Sequence, residues 1–242
     1  MLPHVVVHNE MSLDARMDGL EVDMGRFYSL AGTWHEDCTL VGSETLLAGM
    51  PELGSAGEAV ALEPAESGHE ATATGGNEDA RPLLAAVDSR GRLPGLGQLR
   101  GQPYWRDVVA LCSAATPPAH LETLAADGVR TIVAGDERVD LAAALARLPA
   151  DFGVRTVRVD AGGHLVGALL RAGLVNEVSV VIEPRLVGGE SPRWLVQAAD
   201  AGSGDVVGLE LRGVERFDDG ALWLRYDVAR PERDHGAAAP ST

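Results

Sequence analysis

A chain of 242 residues, 45% hydrophobic and with 29 glycines, can bury a full core as a single domain. Its 36 acids against 20 bases give a net charge of −16, and every base is arginine because the sequence has no lysine. That balance excludes a partner bound by its phosphate backbone, so no nucleic acid is expected, and the missing lysine excludes Schiff-base and pyridoxal chemistry. Cys38 and Cys112 each sit in an apolar run and read as buried free thiols, with no disulfide framework and no metal site. The opening residues lack a basic, then apolar, leader, and no run approaches the roughly 20 apolar residues of a membrane span, so a cytoplasmic protein is expected.

In chain order, His4 to Met11 alternates as a strand and Ser12-Leu13-Asp14-Ala15 breaks it; Ser12 and Asp14 are residues that also serve as ordinary turn caps. Asp23 is a natural N-cap for a helix reaching Trp34, with Met24, Phe27, Tyr28, Ala31 and Trp34 on one face. Tyr28 and Trp34 on that face suit a core, or else a nicotinamide or substrate ring. Cys38 to Ser43 is a short buried strand, and Glu44 to Ala48 a helical turn that starts beside Thr45. Met50 to Ala80 then carries seven acids and no arginine, in a small-residue texture without period, and reads as a long, partly mobile loop.

Beyond the loop, Pro82 to Asp88 is a strand closed by Ser89-Arg90-Gly91-Arg92, and Arg81 through Arg106 holds five arginines and one acid. Val108 to Ser113 and Thr131 to Ala134 are strands; Pro118 to Asp127 and Leu141 to Leu148 are helices, an alternation that predicts a sheet covered on both faces. Thr156 to Glu190 runs strand, glycine turn, helix, strand: Val157 and Val159 lead to Asp160-Ala-Gly-Gly163, the helix follows with Gly173 at its C-terminus, and Val178 to Ile182 ends at Pro184. A glycine turn entering a helix presents free N–H groups that suit a pyrophosphate. Leu209 to Phe217 and Ala221 to Val228, joined by Asp218-Asp219-Gly220, form a closing hairpin, and Pro231 to Thr242 reads as a disordered tail behind one domain of residues 1–230.

The segment D-A-G-G-H-L-V-G-A-L-L-R-A-G-L-V-N-E, ending at Glu177, resembles the E-A-G-x-x-L-x-G-A-L-L-x-x-G-L-V-D-E segment of the riboflavin-biosynthesis reductases, the RibD C-terminal family. The likeness spans roughly Val5 to Gly189 and implies a three-layer αβα, dihydrofolate-reductase-like domain with a mixed, mostly parallel sheet ending in an antiparallel hairpin. It further implies an NADPH-dependent reductase of a pyrimidine that carries a ribosylamino group, commonly a homodimer. E-M-S-L-D-A resembles the family's x-M-S-L-D-G, which makes Glu10 a backbone contact to the cofactor and Asp14 a substrate residue, with Ala15 in place of glycine implying a locally different backbone. V-G-S-E-T-L resembles V-G-x-x-T-L and makes Thr45 a cofactor ligand; V-D-S resembles I-D-S and makes Ser89 another.

The same resemblance brings Gly162, Gly163, His164, Leu165, Val166 and Gly167 to the cofactor, and gives Asp160 the place of the family's substrate-binding and catalytic glutamate. Arg90, with Arg92, suits the 2′-phosphate of NADPH against so negative a chain. Two departures stand out. The family's D-D-P-x-L-x-x-R element, whose arginine holds a substrate phosphate, is replaced here by A-G-M-P-E-L with no arginine from there until Arg81, and no zinc-deaminase signature precedes the domain. A pterin or other small carbonyl or imine compound as substrate, and a ligand-binding relative without catalysis, both remain open on the sequence. For dimerisation, Val178 to Ile182 and Ala221 to Val228 are apolar enough for a subunit contact.

Overall fold

The computed structural model describes residues 1–49, 79–190, 193–197 and 206–229. The long acidic loop, but for Asp79 and Ala80, and the expected disordered tail lie outside these residues. Nine strands form one sheet in the order β5-β4-β3-β2-β6-β1-β7-β9-β8. They are β1 (His4–Ser12), β2 (Cys38–Gly42), β3 (Leu83–Val87), β4 (Asp107–Cys112), β5 (Arg130–Val133), β6 (Thr156–Asp160), β7 (Glu177–Glu183), β8 (Leu209–Arg216) and β9 (Leu222–Val228). The first seven run parallel, and β9 joins β7 antiparallel with β8 outside it.

Among the described residues five α-helices cover the sheet: α1 (Met24–Ala31), α2 (Ser43–Gly49), α3 (Pro118–Ala126), α4 (Leu141–Phe152) and α5 (Gly163–Arg171). Burial on both faces explains the unbroken aliphatic strands. On one face Val5, Val7, Leu40, Ala85 and Val159 pack against Leu145 and Leu148 of α4 and Val166 and Leu169 of α5. On the other, Val41, Leu84, Val108 and Ala110 meet Leu46, Leu96, Leu99 and Leu124, and Val181 and Trp223 meet Leu30 and Trp34. This is the expected dihydrofolate-reductase-like, three-layer αβα architecture.

Local signals explain most element ends. Asp23 caps α1 by accepting the Arg26 N–H, and the helix gives way to a 3-10 turn at Gly32–Trp34 rather than running on to Trp34. Gly173 follows α5 with φ +64° and closes it through N–H bonds from Gly173 and Leu174 to Leu170 and Leu169. α4 passes through Pro149 to Phe152, four residues beyond the expected end, because Gly153 at φ +71° supplies the stop.

Ala15 stands in the left-handed region, with φ +60°, a conformation that glycine takes more readily. The strain of a Cβ there is about 1–2 kcal/mol, offset in part by the greater freedom of glycine in the unfolded chain. Ala15→Gly should therefore stabilise the protein by up to about 1 kcal/mol in chemical denaturation; a destabilised variant would refute the strain.

The face beneath α1 carries buried polar groups as well. His8 Nε2 lies 3.2 Å from the Phe27 carbonyl, which only accepts, so Nε2 bears the hydrogen and Nδ1 accepts from the Ser179 hydroxyl at 2.9 Å. Ser179 in turn accepts from the Trp223 indole at 2.8 Å. Burial, with the Arg158 charge beside it, pushes His8 down to about 3, so it is a neutral spacer and not a proton source.

Candidate active site

The parallel register opens a crevice. β6 pairs with β1 only as far as Val7 opposite Val159, whereas β7 stays paired with β1 through Ser12. Past His8, the β6 edge of β1 therefore faces the Asp160–Gly163 turn instead of a strand. This lies at the carboxyl ends of the strands, where open α/β sheets take their ligands. The backbone of Glu10 lies on that edge, as its expected cofactor role requires.

Asp160 ends β6 on the α1 face. Its Oδ2 accepts from Arg158 at 3.2 Å, and Arg158 also donates from Nε to Glu36 at 2.8 Å. Arg158 is buried, and the two carboxylates raise its already high pKa despite the cost of burial. The Arg158 guanidinium stands 6.0 Å above the Tyr28 ring. Burial first, then the Asp160 charge, raise the Tyr28 hydroxyl. Tyr28 is thus half-buried beside the carboxylate, while Trp34 packs on Trp223 in the core.

Three strand ends are tied together around the turn. Thr45 Oγ1 accepts the Gly162 N–H at 3.3 Å, joining α2 to the start of α5. Arg92 donates to Ser43 Oγ at 2.7 Å, joining the turn after β3 to the same helix. The buried Asp88 carboxylate accepts the Arg92 and Leu93 N–H groups at 2.8 and 2.9 Å and shapes the arginine turn. Ser89 spends its Oγ accepting from Val139 at 3.0 Å, and its carbonyl takes the Ser113 and Thr116 hydroxyls. Arg90 is exposed and has no bond among the described residues.

The glycine turn divides in two. Gly162 is exposed, and a Cβ there would meet nothing within 4 Å. Gly163 and Gly167 instead back onto the 194–197 segment, where a Cβ would collide with the carbonyls of Trp194 and Gln197. Val166 lies in the core with Leu165 against it, and His164 is exposed with Nδ1 3.4 Å from Glu44. Gly162 and His164 are therefore the exposed part of the turn, and Gly163, Val166 and Gly167 support it from behind. Asp14 is held by its own loop: it accepts from Ser12 Oγ at 2.5 Å and from the Val187 and Gly188 N–H groups at 3.1 and 2.8 Å, bonds that pull it down to about 2.

Other polar groups at the end of β1 carry no sequence signature. Asn9 is buried opposite Val180 on the α5 face, and its Nδ2 has no partner. On the α1 face, Glu10 and Glu183 are both buried beside Arg26, which contacts Glu183, lies 3.8 Å from Glu10 and pairs with Asp219 at 2.5 Å. Both Glu10 oxygens lack a hydrogen-bond partner. A nicotinamide dinucleotide fits this arrangement: an open glycine face at a helix N-terminus, arginines on the rim, the free edge of β1 and an unpaired amide on the α5 face.

Fold and crevice together define a class, and the sequence agrees: residues 3–223 match the RibD C-terminal domain, and the chain belongs to that family. It is 29% identical over 227 residues to the 2,5-diamino-6-ribosylamino-4(3H)-pyrimidinone 5′-phosphate reductase of Methanothermobacter thermautotrophicus, covering 88% of this chain and 92% of the relative. The reductase of the same name from Archaeoglobus fulgidus is 30% identical over 202 residues, covering 79% and 85%. Among solved structures, Acinetobacter baumannii RibD shares the fold with a TM-score of 0.65 at 20% identity; 94% of this chain aligns, but it spans only 58% of that longer protein. No helix among the described residues is long and apolar enough to cross a membrane.

Proposed function

We propose that the protein, as one reductase domain over residues 1–230, reduces a ribosylamino-pyrimidinone phosphate with NADPH, the reaction for which its two archaeal relatives are named. The observation that carries this reading is the convergence at one crevice of Asp160, the Thr45–Gly162 link and the arginine turn. A bound NADPH would supply the hydride. Thr45, Gly162 and the first turn of α5 hold its diphosphate, the free edge of β1 at Glu10 meets the nicotinamide end, and Asp160 accepts hydrogen bonds from the substrate. The Arg158 pair keeps Asp160 in place as an anion acceptor. NADPH oxidation at 340 nm, with the pyrimidinone phosphate as substrate, tests the reading directly; no turnover with it, alongside turnover of a pterin or another imine, would replace the substrate.

Arg90 and Arg92 give the preference for NADPH. The double Ala variant should lose at least tenfold discrimination against NADH, about 1.4 kcal/mol, and wild-type preference should weaken with salt. Retained preference in the double variant would remove the turn from the site.

A homodimer follows from the uncovered edge. β7 lies inside the sheet with Val178 to Val181 buried, so Val178 to Ile182 is not a surface for a partner, contrary to the sequence expectation. β8 is the edge strand, and Leu209, Leu211 and Val214 stand 45%, 60% and 57% exposed on it. Leu211→Glu should dissociate the dimer in sedimentation. A wild-type monomer at micromolar concentration would refute it.

A further inference from the structure

Arg16 is a buried cation without an anion. The residue is 7% exposed, its guanidinium stacks on the Trp194 ring at 4.0 Å, and one terminal nitrogen donates to the Gly189 carbonyl at 2.5 Å. Its Nε and Nη1 are buried with no acceptor, and among the described residues no carboxylate forms an ion pair with it. Arg158, the other arginine buried among the described residues, has Glu36 and Asp160, and the partly buried Arg26 has Glu183, Asp219 and Glu10. In a chain of 36 acids, an uncompensated buried guanidinium costs several kcal/mol and calls for an external counter-charge. Asp14, two residues away, does not supply it, because its oxygens are taken by Ser12, Val187 and Gly188.

The location is beside the crevice. Arg16 lies just past the turn that ends β1 and forms a β-bridge with Trp194, and Met17 N–H bonds to the Arg193 carbonyl at 3.0 Å. The Trp194 carbonyl in turn packs on Gly163, the first residue of α5. One aromatic residue thus separates the guanidinium from a helix N-terminus that has no side-chain cap.

We propose that Arg16, with the 187–189 turn and Trp194, forms an anion subsite for a phosphoryl group, its unpaired Nε–H and Nη1–H groups each able to donate to an anion oxygen. The source of that group rests on the reading under Proposed function, which offers a substrate phosphate monoester and the phosphates of the cofactor. If a substrate phosphate is held here, Arg16 stands in for the arginine that the chain lacks between Ala48 and Ala80.

Inorganic phosphate and pyrophosphate are titrated into the full chain, wild type and Arg16→Gln, with thermal stability as readout. Wild type should gain stability with millimolar anion, and Arg16→Gln should not. Binding of NADPH and of the pyrimidinone with and without its phosphate then locates the source: at least tenfold weaker binding of the phosphorylated pyrimidine alone assigns the substrate, and of NADPH alone the cofactor. If Arg16→Gln fails to fold, Arg16→Lys is read instead, since it keeps the charge and loses the fork; tenfold weaker phosphate supports the subsite. Equal stabilisation of wild type and variant by phosphate, with all binding unchanged, would leave Arg16 a loop clamp and overturn the proposal. The anion titration needs no turnover, so an inactive wild type with Arg16-dependent phosphate binding would sink the reductase reading and not the subsite.

Discussion

Asp160→Asn should lower kcat by about 10²–10⁴-fold while NADPH binding stays within severalfold. The carboxylate ends β6 at the crevice and is held by a guanidinium that also bonds Glu36, so the amide keeps the shape but loses the charge that aligns a substrate donor. Asp160→Ala should abolish turnover. Arg158→Met tests the support: it strands two carboxylates around a buried site, and breaking such a pair from one side costs about 3–5 kcal/mol. Denaturation should show that loss, and Glu36→Gln with Asp160→Asn in the same chain should restore much of it. Equal loss of NADPH binding and turnover in Asp160→Asn would make Asp160 a helix cap and not a substrate residue.

The second large effect concerns Glu10 and pH. Burial, then the adjacent Glu183 charge, push Glu10 up to about 7 from its ordinary 4.5, with Arg26 opposing. Two carboxylates and one guanidinium, itself shared with Asp219, leave the pair holding one proton. Between pH 4.5 and 7 Glu10 therefore binds more proton in the folded protein than in the unfolded chain, and its contribution to stability falls as pH rises through that window. His8, pushed down to about 3 from 6.5, acts with opposite sign inside the window, so the Glu10 contribution is read as the difference between wild type and variant; Asp14 and Asp79, held at about 2, oppose it only below about pH 4. Glu10→Gln removes that contribution and should be more stable than wild type at pH 8 by roughly 1–3 kcal/mol, with near equality at pH 4.5. Denaturation at the two pH values decides it; an unchanged slope in the variant would place the shared proton elsewhere.

What the residues alone determined is local. Apolar runs, Asp23 as a cap, Gly173 as a stop and the Asp218-Asp219-Gly220 turn placed strands and helices within a few residues, because each signal acts over one turn or one strand. The resemblance to the RibD C-terminal family, and not spacing, implied one chemistry for Thr45, Ser89, Gly162 and Asp160. The tertiary structure decided which atoms remain for a ligand. It turned Gly163 and Gly167 toward the 194–197 segment, used the Ser89 hydroxyl on Val139, and buried Val178 to Val181 within the sheet. It also made the charge pairs that no window of sequence contains: Arg158 with Glu36 across 122 positions and Arg26 with Glu183 across 157. Arg16 and Asn9 belong to the same class, since an unmet hydrogen bond is a property of surroundings that the chain assembles only when β1, β6, β7 and α5 come together.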